Sequence, residues 1–144
     1  MNDSPRDTVQ ELLAVCHRMY DKGFVTATDG NVSVRLANES FLVTATAVCK
    51  GYATEDDLVV VNNRGEVIAG LGKASTEIAM HLLIYQKRSD VQAVVHGHPT
   101  YATGFATARI PLNECLFPEV IVGLGSVPLA RYASQSPKVL ELQA

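Results

Sequence analysis

Three side chains carry the most direct chemical signal. Glu77 heads an apolar helical pattern, and His96 and His98 close the apolar run that follows it. Element lengths bring them together. A helix from Glu77 to about Arg88 climbs roughly 16–17 Å at ~1.5 Å per residue. After a turn at Ser89-Asp90, the run Val91-Gln92-Ala93-Val94-Val95 descends about 17–20 Å at ~3.3 Å per residue. The strand's end therefore returns to the helix's start. His96 and His98, two apart on an extended chain, point to one face. A carboxylate and two imidazoles meeting there make a divalent-metal site with an open position, the usual arrangement at a catalytic zinc. Such an ion polarises a carbonyl or hydroxyl and stabilises an enediolate. Glu77 is then either a ligand or the base. The plain alternative makes Glu77 a helix-start acid favoured by the dipole, and leaves the ending of the strand on two histidines unexplained.

A second group would hold an anion. Ser75 and Thr76 sit where that helix begins, so backbone N–H groups and hydroxyls face one point. Gly30-Asn31 supplies a turn with exposed amides, and Thr44 and Thr46 add hydroxyls from a neighbouring strand. Each is ordinary alone, and Ser75 reads first as an N-cap. Together they cradle a phosphate beside the metal. No Walker or Rossmann pattern accompanies them, which argues against a nucleotide. His81, one helical turn beyond Glu77, either supports it or is a packed or solvated helix histidine. His17 reads as structural.

The elements around these residues follow from periodicity. Ser4-Pro5-Arg6-Asp7 offers an N-cap, a proline at the first helical position and an early acid. Val9, Leu12, Leu13, Cys16, Met19 and Tyr20 follow at helical spacing until Gly23. The period then becomes two: Val32, Val34 and Leu36 alternate with Ser33 and Arg35, and Phe41–Thr46 predicts a second strand. Leu58–Val61 and Glu66–Ala69, joined through Asn62-Asn63-Arg64-Gly65, predict a hairpin. The Glu77 helix, a strand at 91–95 and a short helix over Tyr101–Ala108 come next. Glu119–Val122 and Val127–Leu129 predict further strands. Helices and strands in this order indicate one α/β domain over 1–144, a sheet covered by helices.

With 47% hydrophobic residues, a chain of 144 can bury a substantial core. Its net charge of −3 and scattered lysines and arginines, read as solvated surface, exclude a nucleic-acid footprint. No apolar run approaches the ~18 residues of a membrane span, and the start of the chain has no apolar signal core. Three cysteines without CxxC spacing indicate a reduced compartment, here the cytoplasm.

These residues together resemble the class II aldolase/adducin family. The resemblance rests on Thr28-Asp29-Gly30-Asn31-Val32-Ser33-Val34-Arg35, Thr44-Ala45-Thr46, Ser75-Thr76-Glu77 and Val94-Val95-His96-Gly97-His98-Pro99. His81, Tyr85 and Arg88-Ser89-Asp90 also fall where the family pattern has similar residues. It implies a three-layer α/β/α fold around a mostly antiparallel sheet, shortened at its C-terminal end. It implies Zn²⁺, or Mn²⁺ or Co²⁺, on His96 and His98, with Glu77 as ligand or acid/base. It implies phosphate bound through Gly30, Asn31, Thr46, Ser75 and Thr76, and a homo-oligomer, typically a tetramer. The implied activity is C–C bond cleavage in a small phosphorylated sugar or keto acid. An epimerase, dehydratase or decarboxylase would share the site, and a non-catalytic adducin-like module would share the fold. Three positions depart from the pattern. The family's third metal histidine, in an Asn-His-Gly or His-His-Gly segment, lies beyond the end of this sequence. Ala47 replaces a phosphate-loop glycine. Cys115 stands near the position of a tyrosine proton donor.

Overall fold

The computed structural model describes residues 5–114, 117–123 and 125–131. Helix α1 (Pro5–Asp21) presents Leu12, Leu13, Cys16 and Met19 along one buried stripe. Burying Leu12, Leu13 and Met19 stabilises the fold by about 1.5–3 kcal/mol each relative to exposure. Gly23, at φ +68°, ends the helix. Its N–H donates to Tyr20 O at 2.9 Å and that of Phe24 to Met19 O at 2.9 Å, the paired closing bonds of a Schellman motif. Ser4, expected as the N-cap, lies outside the described residues.

Strands β1 (Asn31–Arg35), β2 (Phe41–Thr44), β3 (Leu58–Val61), β4 (Val67–Ala69) and β5 (Ala93–His96) form one sheet. Its order is β4-β3-β2-β1-β5, and every neighbouring pair is antiparallel. Alternate residues of the central strands build two cores. Val32, Leu42 and Leu58 pack beneath α1. Phe41, Val43, Val59 and Val61 pack on the opposite face, with Tyr85, Ile78 and Leu82 of helix α2 (Ile78–Lys87). The result is the three-layer α/β/α arrangement with an antiparallel sheet. Covering both faces also explains the unbroken apolar run Leu58–Val61, which needs no polar side.

Helices α3 (Thr100–Thr107) and α4 (Pro118–Gly123) follow β5. The strand expected at Glu119–Val122 is therefore the helix α4. Pro118 starts it at the position where a missing N–H costs nothing, and an apolar run this short has no period of its own. Val127–Leu129 makes a single bridge, Val127 to Leu112, rather than a strand. The second strand stops at Thr44, two residues early, and the chain beyond it turns through Ala47 at φ +60°. No helix among the described residues is long and apolar enough to cross a membrane.

Candidate active site

The site is the end of a polar ladder between β1 and α2. Two strand residues advance ~6.6 Å, and four helical residues advance ~6 Å. Residues 31, 33 and 35 of the strand can therefore meet residues 77, 81 and 85 along the helix, rung by rung. At the middle rung, Ser33 Oγ lies 2.7 Å from His81 Nδ1 and 2.8 Å from Tyr85 OH. At the lower rung, Arg35 Nη2 donates to Tyr85 O at 2.8 Å, and its guanidinium sits 4.8 Å above the Tyr85 ring. Ser33 and His81 are completely buried. Burial pushes the His81 imidazole down to about 4, with His96 lowering it further and Glu77 opposing, so it is neutral at physiological pH. Of the two readings of His81, packing is the observed one. Ser33 and Arg35, which alternate like a solvent face, are roofed by α2 instead.

The top rung gathers the acid and the imidazole expected to do chemistry. Glu77 is the N-cap residue of α2, and the sheet register sets Asn31 opposite His96. Glu77 Oε2 accepts hydrogen bonds from Asn31 Nδ2 and lies 2.9 Å from His96 Nδ1. The His96 and His98 rings stand edge to face with centroids 5.0 Å apart. The helix-out, strand-back estimate thus ends in direct contact. Asn31 Nδ2 also reaches Ser75 Oγ at 3.3 Å, while Asn31 Oδ1 is buried without a partner among the described residues. Gly30, at φ +68°, lets the chain pass close to β5. A Cβ there would lie 2.6 Å from the His96 carbonyl oxygen.

Beside this rung lies a cavity of about 250 Å³, lined by Gly30, Asn31, Thr46, Ser75, Thr76, Glu77 and His98 among others. Of the residues expected to hold phosphate, Gly30, Asn31, Thr46, Ser75 and Thr76 line it. Thr44 does not: its side chain is fully buried and accepts from Val32 N–H at 3.2 Å. A strand alternates faces, and Thr44 falls on the side of Val32. Ala47 lines the cavity at φ +60°, a left-handed conformation that glycine adopts without strain. Lys50, read from sequence as solvated surface, is 1% exposed and also lines the cavity. Desolvation lowers its pKa, and Cys16, Cys49, Asp29 and Glu77 oppose the shift. Cys16 is buried, and Cys49 partly so. Cys115 lies outside the described residues.

The donor types suit a zinc-class ion: one carboxylate and two neutral-capable imidazoles. The carboxylate touches one ring and the second ring is adjacent. Among the described residues no three His, Cys, Asp or Glu side chains are gathered closely enough to hold an ion by themselves. The three fit as part of a ligand set rather than as a whole one.

An antiparallel sheet between two helical layers is the arrangement of the class II aldolase fold. A solved L-fuculose 1-phosphate aldolase superposes on 96% of this chain and 69% of its own, with a TM-score of 0.81 and 30% identity. The chain belongs to the class II aldolase and adducin family: residues 10–144 match the model of the class II aldolase and adducin N-terminal domain. The L-fuculose phosphate aldolase of Methanococcus maripaludis strain C7 is 34% identical over 121 residues, 84% of this chain and 65% of that protein. The methylthioribulose-1-phosphate dehydratase of Granulibacter bethesdensis is 36% identical over 97 residues, 67% of this chain and 45% of that protein. This chain thus spans about two thirds of the length of the first of these relatives and under half of the second.

Proposed function

We propose that this chain forms the core of a metal-dependent lyase that cleaves a C–C bond in a small phosphorylated sugar or related hydroxy-ketone. The observation that carries this reading is the Glu77–His96 contact at the rim of the hydroxyl-lined cavity. His96 and His98 would hold a zinc-class divalent ion, with Glu77 as ligand or acid/base. A further ligand would come from outside these three residues or from the substrate itself. When bound, the ion supplies Lewis-acid polarisation of the ligand's carbonyl. Glu77 supplies proton transfer. Its Oε2 is fixed by Asn31 and His96, and Oε1 has no hydrogen bond among the described residues, so it is the oxygen free to take or give a proton. Thr46, Ser75, Thr76 and the backbone at Gly30 and Asn31 would orient the phosphate against the positive end of α2.

The dehydratase relative favours a second reaction at the same site, water elimination from a phosphorylated sugar, which would use Glu77 in the same role. Exposed Val95, Tyr101, Phe105 and Phe117 on β5, α3 and the approach to α4 support assembly into a homo-oligomer.

Triose phosphate release from a panel of ketose 1-phosphates, measured with and without added zinc, tests the reading. Glu77→Ala and His96→Ala should keep the fold and lose about 10²–10⁴ in rate. Full activity in either variant overturns it. Stoichiometric folded protein that takes up no zinc, manganese or cobalt would instead support a non-catalytic module.

A further inference from the structure

Lys50 opens a 3-10 turn, Lys50–Tyr52, packed against α1 so tightly that Gly51 has the Tyr20 ring where its Cβ would be. From there the side chain runs inward. Its ammonium donates to Val48 O at 2.7 Å and to Thr28 O at 3.3 Å. Thr28 belongs to the loop before β1, and Val48 follows the Ala45–Ala47 loop. Both loops wall the cavity. An ammonium has three N–H groups. The third has no acceptor among the described residues, and no carboxylate there pairs with the charge. Asp29 and Glu77, which also line the cavity, and the Cys16 and Cys49 thiols act on the charge from a distance, but none hydrogen-bonds or ion-pairs with it. The ammonium's close partners are two neutral carbonyls, a costly state that an anion sharing the space would relieve. The surroundings offer such an anion a place. The α2 N-terminus and the Thr46, Ser75 and Thr76 hydroxyls face the same cavity, but none of them brings a full positive charge.

We propose that Lys50 is the charged binding residue of this cavity, donating its third N–H to an anionic oxygen of a phosphorylated ligand while it ties the Thr28 and Val48 loops around it. The inference rests on the phosphate reading given above and names the residue that supplies the charge. A binding role predicts that the loss of the Lys50 charge falls more on KM for phosphorylated ligands than on kcat.

The test uses inorganic phosphate. Calorimetric titration of the wild-type chain and of Lys50→Met, which keeps the stem and removes the charge, should show binding weakened about tenfold or more. Lys50→Arg should recover part of the loss. A crystal of the wild-type chain grown with phosphate should place a phosphate oxygen within ~3 Å of Nζ, and this arm decides if Lys50→Met does not fold. Binding by Lys50→Met within about twofold of wild type, or phosphate in the cavity with Nζ still held by the two carbonyls alone, overturns the role of Lys50 and leaves the phosphate reading standing. A wild-type chain that binds no phosphate overturns both.

Discussion

Replacing Ser33 by alanine isolates the middle rung of the ladder between sheet and helix. The Ser33 hydroxyl has one proton, so it donates to one of His81 and Tyr85 and accepts from the other. Without it, Tyr85 OH loses that bond as well. His81 keeps nothing: Nδ1 loses its bond and Nε2 already has none among the described residues. The imidazole is completely buried, so no solvent can replace the lost contact without opening the core. An unpartnered buried polar group costs ~1–3 kcal/mol, and a small void adds to it. Ser33→Ala should therefore destabilise the fold by about 2–3 kcal/mol in urea unfolding, at unchanged m. The double variant Ser33→Ala/His81→Leu should cost at least ~1 kcal/mol less than the sum of the single variants, because no orphaned nitrogen remains. A loss below ~0.5 kcal/mol in Ser33→Ala, or strict additivity in the cycle, would refute the ladder as a source of stability.

Two further outcomes follow from the same geometry. Burial holds the His81 imidazole neutral in the fold down to about pH 4, whereas the unfolded chain protonates near 6.5. The stability contributed is thus complete above 6.5 and is lost as pH falls from there towards 4, about 3 kcal/mol in all. A pH series of urea midpoints should show that acid limb in the wild type and a flatter one in His81→Gln. Gly30→Ala would force a Cβ to within 2.6 Å of both the His96 carbonyl oxygen and the Val25 side chain, at φ +68°. It should cost about 2–4 kcal/mol and, by displacing the end of β5, weaken zinc uptake measured by titration. An unperturbed thermal midpoint would contradict the close approach.

What the sequence made legible, it made legible through length and period. The rise of α2 and the descent of β5 needed only element lengths, and they end with Glu77 against His96. Gly30, Asn31, Thr46, Ser75 and Thr76, expected to hold phosphate, fell on the cavity because they cluster at loop and helix starts, where backbone N–H groups are free, whereas Thr44 lies within a strand and turned into the core. Local pattern misleads where a distant segment decides the environment. Ser33 and Arg35 alternate with valines as a wet face would, yet α2 covers them. The clue lay in the matching four-residue spacing of Glu77, His81 and Tyr85, which a strand advancing two residues at a time can track. Lys50 sits as one charge in a short loop, and nothing in Val48-Cys49-Lys50-Gly51 marks it as buried. Its acceptor Thr28 comes from the far side of two strands. Glu119–Val122 is too short for a period to choose between helix and strand, and Pro118 settled it.

The ladder also explains why the site and the stability of this fold are one problem. Asn31 and Glu77 are the last rung of a series whose lower rungs, Ser33 with His81 and Arg35 with Tyr85, are internal. The lower rungs fix both the rotation of α2 and its height above the sheet. Rotating the helix by one residue, ~100°, would turn Glu77, His81 and Tyr85 away from β1 together. A carboxylate on an isolated loop could relax away from His96 at little cost. Here the same movement would break buried hydrogen bonds two turns away, so the fold itself holds Glu77 in reach of the imidazole.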